Sequence, residues 1–109
     1  MTKSPVRSLC LCVFVATAAS AASEKTEIEN DRVRVLHTIL DPHIKSPMHE
    51  HPSYVVVYIT ELHTTQTLPD GRKVDNPRKP GEIAWRDALS HVTENIGDQR
   101  AEEYQIELK

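Results

Sequence analysis

His49-Glu50-His51 is the stretch of this chain with the clearest capacity for metal chemistry. In an extended strand, residues two apart project to the same face, about 7 Å apart along the chain. Two imidazoles so placed can converge on one ion. A site that keeps a position open for a ligand commonly uses three protein donors plus water, so a third residue must come from elsewhere. His91 is the natural candidate, because it lies in a later extended segment bounded by turns at Pro80-Gly81 and Gly97-Asp98. Taken alone, the tripeptide also describes two partly exposed histidines beside a proline turn, and that is the ordinary reading of such a pair. Both readings depend on what holds these residues in place.

The flanking segments are strand-like. Arg32 to Leu40 begins with apolar–polar alternation, placing Val33 and Val35 on one face. Tyr54 to Thr60 (YVVVYIT) is almost wholly β-branched or aromatic and too short for a comfortable helix. Leu62 to Leu68 reads as a weaker strand of threonines, followed by Asp70-Gly71, which predicts a type I′ hairpin. Glu82 to Arg86, His91 to Ile96 and Glu103 to Leu108 complete the set, with Tyr104, Ile106 and Leu108 sharing a face. Only Asp87 to Ser90 hints at a helical turn. Seven or eight short strands with turns every 8–12 residues predict an all-β sandwich or barrel.

Two stretches of this pattern, PMHEHPSYVVVYIT and PGEIAWRDALSHVTENIGD, resemble the paired motifs of the cupin superfamily. The first motif of that family reads Gly, five residues, His-x-His, three or four residues, Glu, six residues, Gly. The second reads Gly, five residues, Pro-x-Gly, two residues, His, three residues, Asn. His49 and His51 fall on the His pair, Gly81 opens the second motif, and His91 and Asn95 follow in place. Among cupins the chain is most similar to short single-domain proteins with a His-x-His-Pro-Ser run and a Glu-Asn-x-Gly-Asp ending. The resemblance implies a double-stranded β-helix, or jelly-roll barrel, over residues 31–109, with His49, His51 and His91 as ligands of one divalent metal. Zinc, iron, manganese, nickel and copper all suit imidazole donors or this fold, and spacing does not choose among them.

The departures are informative. The Glu of the first motif would fall at Val55 or Val56, its opening Gly at His43, and its closing Gly near Leu62 or His63. Asp87-Ala88-Leu89 stands where Pro-x-Gly is usual. Some cupin dioxygenases that resemble cysteine dioxygenase use three histidines, so losing the Glu leaves a metal centre possible. Three neutral imidazoles would leave the ion its full +2 charge, which favours an anionic ligand. Other residues read more blandly. His43 suits a left-handed turn position, His37 and His63 are ordinary strand histidines, and Trp85 is expected in the core or cavity wall. Glu94 has parity opposite to His91 and should point away from the metal. Tyr54 and Tyr58 have parity opposite to His49 and His51. An unbroken strand would therefore turn them outward to an interface and line the barrel with Val55, Val57 and Ile59.

Residues 1–21 read as a secretory signal peptide. Lys3 and Arg7 precede the apolar run Leu9 to Ala19, and Ala19-Ser20-Ala21 offers small-x-small cleavage. That run is about half of what a bilayer-spanning helix requires. Cleavage would remove both cysteines, so the expected mature chain of about 88 residues has no disulfide and resides in the periplasm or outside the cell, free of the membrane. It would also remove two of the 13 basic residues and none of the 16 acidic ones, leaving 11 against 16, a net charge of −5. No basic run remains to meet nucleic acid. Residues 22–30, small and charged, read as a flexible tether. A domain this small buries only a little over 60% of its unfolded surface, so a homodimer or a bound metal is expected to support it. Two functions follow. One is a metal-binding cupin open to a small anionic ligand, which as an enzyme would suit oxygenase-like or isomerase-like chemistry, although no acid or base stands out. The other is a metal-free small-molecule binding or sensory module of the cell envelope.

Overall fold

β-Branching and alternation carry through to nine strands in a computed structural model that describes residues 22–109. These are β1 (Ala22–Glu29), β2 (Val33–Leu40), β3 (His49–His51), β4 (Tyr54–Tyr58), β5 (Leu62–Thr67), β6 (Lys73–Arg78), β7 (Ile83–Arg86), β8 (Leu89–Asn95) and β9 (Ala101–Leu108). A five-stranded sheet runs β1-β2-β9-β4-β7 and a four-stranded sheet β3-β8-β5-β6. Every pairing is antiparallel. The all-β fold expected from the sequence is present, and among the described residues there is no helix. The helical turn hinted at over Asp87 to Ser90 is instead the lead into β8, with Leu89 and Ser90 paired to β3. The signal peptide read at residues 1–21 lies outside the described residues.

Residues 22–30 are not a tether. Ala22–Glu29 pairs with β2 along its length, with one register shift between Thr26 and Ile28. All eight of its side chains are exposed. An edge strand held by backbone bonds needs no apolar alternation, which is why its sequence looks like a linker. The Asp70-Gly71 hairpin is real but of another type. Only Gly71 has positive φ (92°), and its N–H donates to Leu68 O at 2.9 Å. With Pro69 and Asp70 at the centre, this is a common turn closed by a left-handed glycine rather than type I′. Pro77 lies in β6, an edge strand, where a missing donor does least harm.

The parity expected for β4 is inverted. Tyr54, Val56 and Tyr58 are buried, at 2%, 1% and 1% exposure, and form the core with Leu62 and Ala101. Val55 and Val57 are half-buried on the other face, and Ile59 is exposed. The cause is the passage from one sheet to the other at Pro52-Ser53. β3 belongs to the four-stranded sheet and β4 to the five-stranded one, so alternation restarts across the bend. The tyrosines therefore serve the interior and cannot form an outer interface. Trp85, expected in the core or cavity wall, is 54% exposed, with Nε1 donating to Asp87 Oδ1 at 2.9 Å.

Trp85 belongs to an outward apolar face. Register places Ile28, Val35, Ile106, Val55 and Trp85 in one row across all five strands. A second row runs His37, Tyr104, Val57 and Ile83, in which the His37 and Tyr104 rings stack at 4.6 Å. The inner face of β9 is the polar one: Gln105 and Glu107 are buried, while Tyr104, Ile106 and Leu108 alternate outward.

Candidate metal centre

The histidine centre is built by a short strand pinned against a longer one. Residues 43–46 run beside β8, with His43 N–H donating to Asn95 O at 2.8 Å and Ser46 N–H to Thr93 O at 2.8 Å. His43 adopts φ 66°, the left-handed position expected of it. Asn95, fully buried, fastens the far end of β8. Its Nδ2 donates to Leu40 O and Gln99 O, and its Oδ1 accepts from Gly97 N–H. So anchored, β3 pairs with β8 in a register that sets His49 directly opposite His91.

The three histidines meet as the sequence suggested. Ring centroids lie 4.8 Å apart for His49 and His51, 4.6 Å for His49 and His91, and 5.2 Å for His51 and His91, each pair edge-on. One ligand atom from each lies within 4.8 Å of the others. Bonds of about 2.0–2.1 Å to one ion allow donors up to roughly 4 Å apart, so the set needs only a small contraction to close on a metal.

Their ring protons are assigned by their neighbours. His49 Nδ1 donates to Pro47 O at 2.8 Å, and His51 Nδ1 to the Glu107 carboxylate at 2.8 Å. His91 Nδ1 lies 2.7 Å from Gln66 Oε1. That oxygen also accepts from Arg86 Nη2 at 2.5 Å, and arginine can only donate, so the His91 nitrogen must be a donor too. Each ring therefore carries its proton on Nδ1 and leaves the Nε2 lone pair bare. His51 Nε2 is buried and has no hydrogen-bond partner. A buried bare acceptor is costly, and a shared cation is the group whose chemistry fits it.

Burial and proximity keep the His51 and His91 rings neutral. His91 is driven down to about 3, first by burial, then by the charges that His49, His51 and Arg86 would place against a protonated ring. His51 also falls, mainly through burial, although its bond to Glu107 pulls the other way. Burial pushes the Glu103 carboxyl up.

The centre opens on a cavity of about 260 Å³ between the sheets, lined among others by Tyr54, Val56, Tyr58, Thr64, Arg86 and Glu103. His51 stacks on Tyr54 at 4.5 Å. Of the two positions where the motif Glu could fall, Val56 is the one that lines the cavity, so the missing carboxylate is replaced by an isopropyl group within it. The remaining histidines stay outside. His37 bonds Glu102 at 2.6 Å on the outer face, His43 is exposed near Asp98, and His63 is half-buried near Asp75. Glu94 pairs across with Thr65 and does not line the cavity, as its parity implies. Sequence reasoning missed Glu107, Gln66 and Arg86, which hold the ligand rings or flank them. The parity of β9 and the isolated polar Gln66 within a threonine-rich strand were their only signals.

The chain matches no protein-family model and no curated protein. It is similar to solved structures, cupins among them. One is a cupin domain from Bordetella pertussis, 27% identical at a TM-score of 0.75, covering 82% of this chain and 94% of that one. An RmlC-like cupin with a double-stranded β-helix fold from Methanocaldococcus jannaschii is 18% identical at 0.65, covering 82% and 81%. A DMSP lyase from Ruegeria pomeroyi is 12% identical at 0.65, covering 88% of this chain and 51% of that one.

The lowered basicity of His51 and His91 has a sign for stability. The unfolded chain binds protons at these rings below the ordinary imidazole value near 6.5, and the folded chain does so only at lower pH. Their contribution is whole above that value and shrinks as pH falls below 6.5, for His91 down to about 3. Glu103 acts oppositely: its contribution is present below the ordinary carboxyl value and fades as pH rises through its elevated folded value. Because Glu103 works against the imidazoles in the same window, the His91 share is read as a difference between variants: from pH 7 to pH 5 the metal-free wild type should lose more melting temperature than metal-free His91→Gln. Equal losses in the two proteins would contradict the assignment.

Proposed function

We propose, starting from a small single-domain protein with the cupin double-stranded β-helix fold, that it binds one divalent metal through Nε2 of His49, His51 and His91. The remaining coordination positions face a small anionic ligand. The observation that carries this is the uniform tautomer of the three rings, with every Nδ1 proton accepted and a bare, buried Nε2 on His51. A bound metal would supply Lewis acidity or orient a ligand at this centre. The protein's own part is to hold three neutral rings, through Pro47 O, Glu107 and Gln66, and to enclose a small molecule beside them. As an enzyme, such a centre suits oxygenase-like or isomerase-like chemistry on a small anion. The second reading, a metal-free binding or sensory module, is favoured by one observation: Val56 occupies the carboxylate position of the motif.

We further propose that the protein is exported and works as a homodimer in the periplasm or outside the cell. The leader-like residues 1–21 support export. The outer face of the five-stranded sheet supports pairing, because exposed Ile28, Ile83 and Trp85, at 52%, 67% and 54%, continue through half-buried valines into one apolar surface. A second copy related by a twofold axis covers it with an identical surface.

Calorimetry of the mature protein with zinc, iron(II), manganese, nickel and copper should find one site per chain. Alanine at His49, His51 or His91 should remove most of the affinity, and Glu107→Gln should cost about 10–100-fold. His37→Ala and His63→Ala should change little. Binding no tighter than millimolar, or equal binding by the triple alanine variant, would favour the metal-free module. Light scattering should give twice the chain mass at micromolar concentration and Trp85→Glu should give a monomer; a monomeric wild type removes the proposed pairing.

A further inference from the structure

We infer that Arg86 is the anion anchor of the cavity, and that its ligand is a small carboxylic acid whose second donor group reaches the histidine centre. This inference rests on the metal-binding reading above. Arg86 ends β7 and is paired across from Tyr54. On that strand Ile83 and Trp85 face outward, so Ala84 and Arg86 face the interior, and Arg86 lines the cavity. Its Nη2 and His91 Nδ1 share one acceptor, Gln66 Oε1, at 2.5 and 2.7 Å. Those bonds hold the guanidinium beside His91, and because Arg86 and all three histidines line the same cavity, one ligand can touch both the guanidinium and the open side of the histidine centre.

The charge at Arg86 is felt by the Glu103 carboxyl but sits in no ion pair. Its side-chain hydrogen bond goes to neutral Gln66, and among the described residues no carboxylate is ion-paired with it. Arginine does not shed its proton in proteins, so a half-buried charge persists with most of its five donors unspent. The interior carboxyl Glu103 accepts its hydrogen bond from Gln105 Nε2 at 2.8 Å rather than from Arg86, and burial pushes it toward its neutral form against the pull of Gln105 and Arg86. A carboxylate offers two oxygens that match the guanidinium fork and is the smaller and flatter of the anions that do so. The cavity limits what carries it. About 260 Å³ corresponds to roughly nine water volumes, below the range of drug-sized sites. Val56, Leu40 and Ala101 give the carbon skeleton apolar wall.

The test compares each of three acids with its amide: lactate with lactamide, mercaptoacetate with mercaptoacetamide, and succinate with succinamide. Titrations use zinc-loaded wild type, Arg86→Gln and Arg86→Lys, with azide as an anion that can reach the metal without needing a fork. The wild type should prefer at least one acid over its amide by about tenfold or more, a typical worth for a charge-assisted pair. In its zinc-loaded form Arg86→Gln should reduce that preference to under about threefold, with azide binding retained. A preference that persists in Arg86→Gln with zinc retained overturns the inference, as does a zinc-loaded wild type that prefers no acid. Should Arg86→Gln lose zinc through Gln66, Arg86→Lys decides. It keeps the charge and a donor but not the fork, so acid affinity should drop several-fold with azide binding unchanged; equality with wild type overturns the anchor. If the wild type itself takes up no zinc, the metal reading has failed. The same acid–amide comparison on the metal-free protein then tests Arg86 alone, with loss of preference in Arg86→Gln supporting it and no difference contradicting it.

Discussion

A histidine can present a bare Nε2 to a common centre only when something accepts the proton on its Nδ1. Three histidines must satisfy that condition together here, within a few ångströms of one another, and much of the interior is arranged around it. The acceptors come from three places: the Pro47 carbonyl in the loop before β3, Glu107 on β9 and Gln66 on β5. Glu107 crosses from the opposite sheet, so the two layers are joined through the site as well as through the apolar core. The clamp at Asn95 and the antiparallel run of residues 43–46 along β8 fix β8 and β3 against each other, which makes the His49–His91 register a property of the fold.

This arrangement has a structural cost. The buried apolar cluster is short, centred on Tyr54, Val56, Tyr58, Leu62 and Ala101. Beside it lie buried Thr64, Gln66, Asn76, Gln105 and Glu107. Polar groups in such a position stabilise only when satisfied, and a small domain has little apolar burial with which to offset one that is not. Gln105 Oε1 and His51 Nε2 are both buried without a partner, and the second belongs to the histidine centre. A cation there would satisfy the orphaned lone pair and draw the three rings together, so occupancy and folding are linked. The outer face, apolar across five strands, offers a second source of stability through association.

The fold was legible because strand signals are local. The β-branched run at 54–60, the turns at Asp70-Gly71 and Pro80-Gly81, and the His-x-His spacing all survive in the structure. The three histidines were legible because the two motifs carry them at family spacing. What was not legible depended on contacts far apart in sequence. The strand at Ala22–Glu29 exists through backbone pairing that leaves no mark on its side chains. The inward turn of Tyr54 and Tyr58 follows from a change of sheet at Pro52-Ser53, which resets an alternation that looked continuous. Glu107 lies 56 residues from His51, and Arg86 reaches the centre only because β7 pairs with β4. Exposed Trp85 follows from the same pairing, since inward Arg86 forces its neighbour out.

The central claim is that three rings share one tautomer and offer Nε2 to one ion. Nitrogen NMR of the mature protein, with histidine labelled at both ring nitrogens, measures this directly during a zinc titration. The account predicts that three Nε2 signals move to metal-bound positions at one equivalent of zinc, while their Nδ1 partners remain protonated and the His37, His43 and His63 rings do not respond. Zinc on Nδ1 of any of the three, or ring signals that ignore zinc altogether, would contradict it.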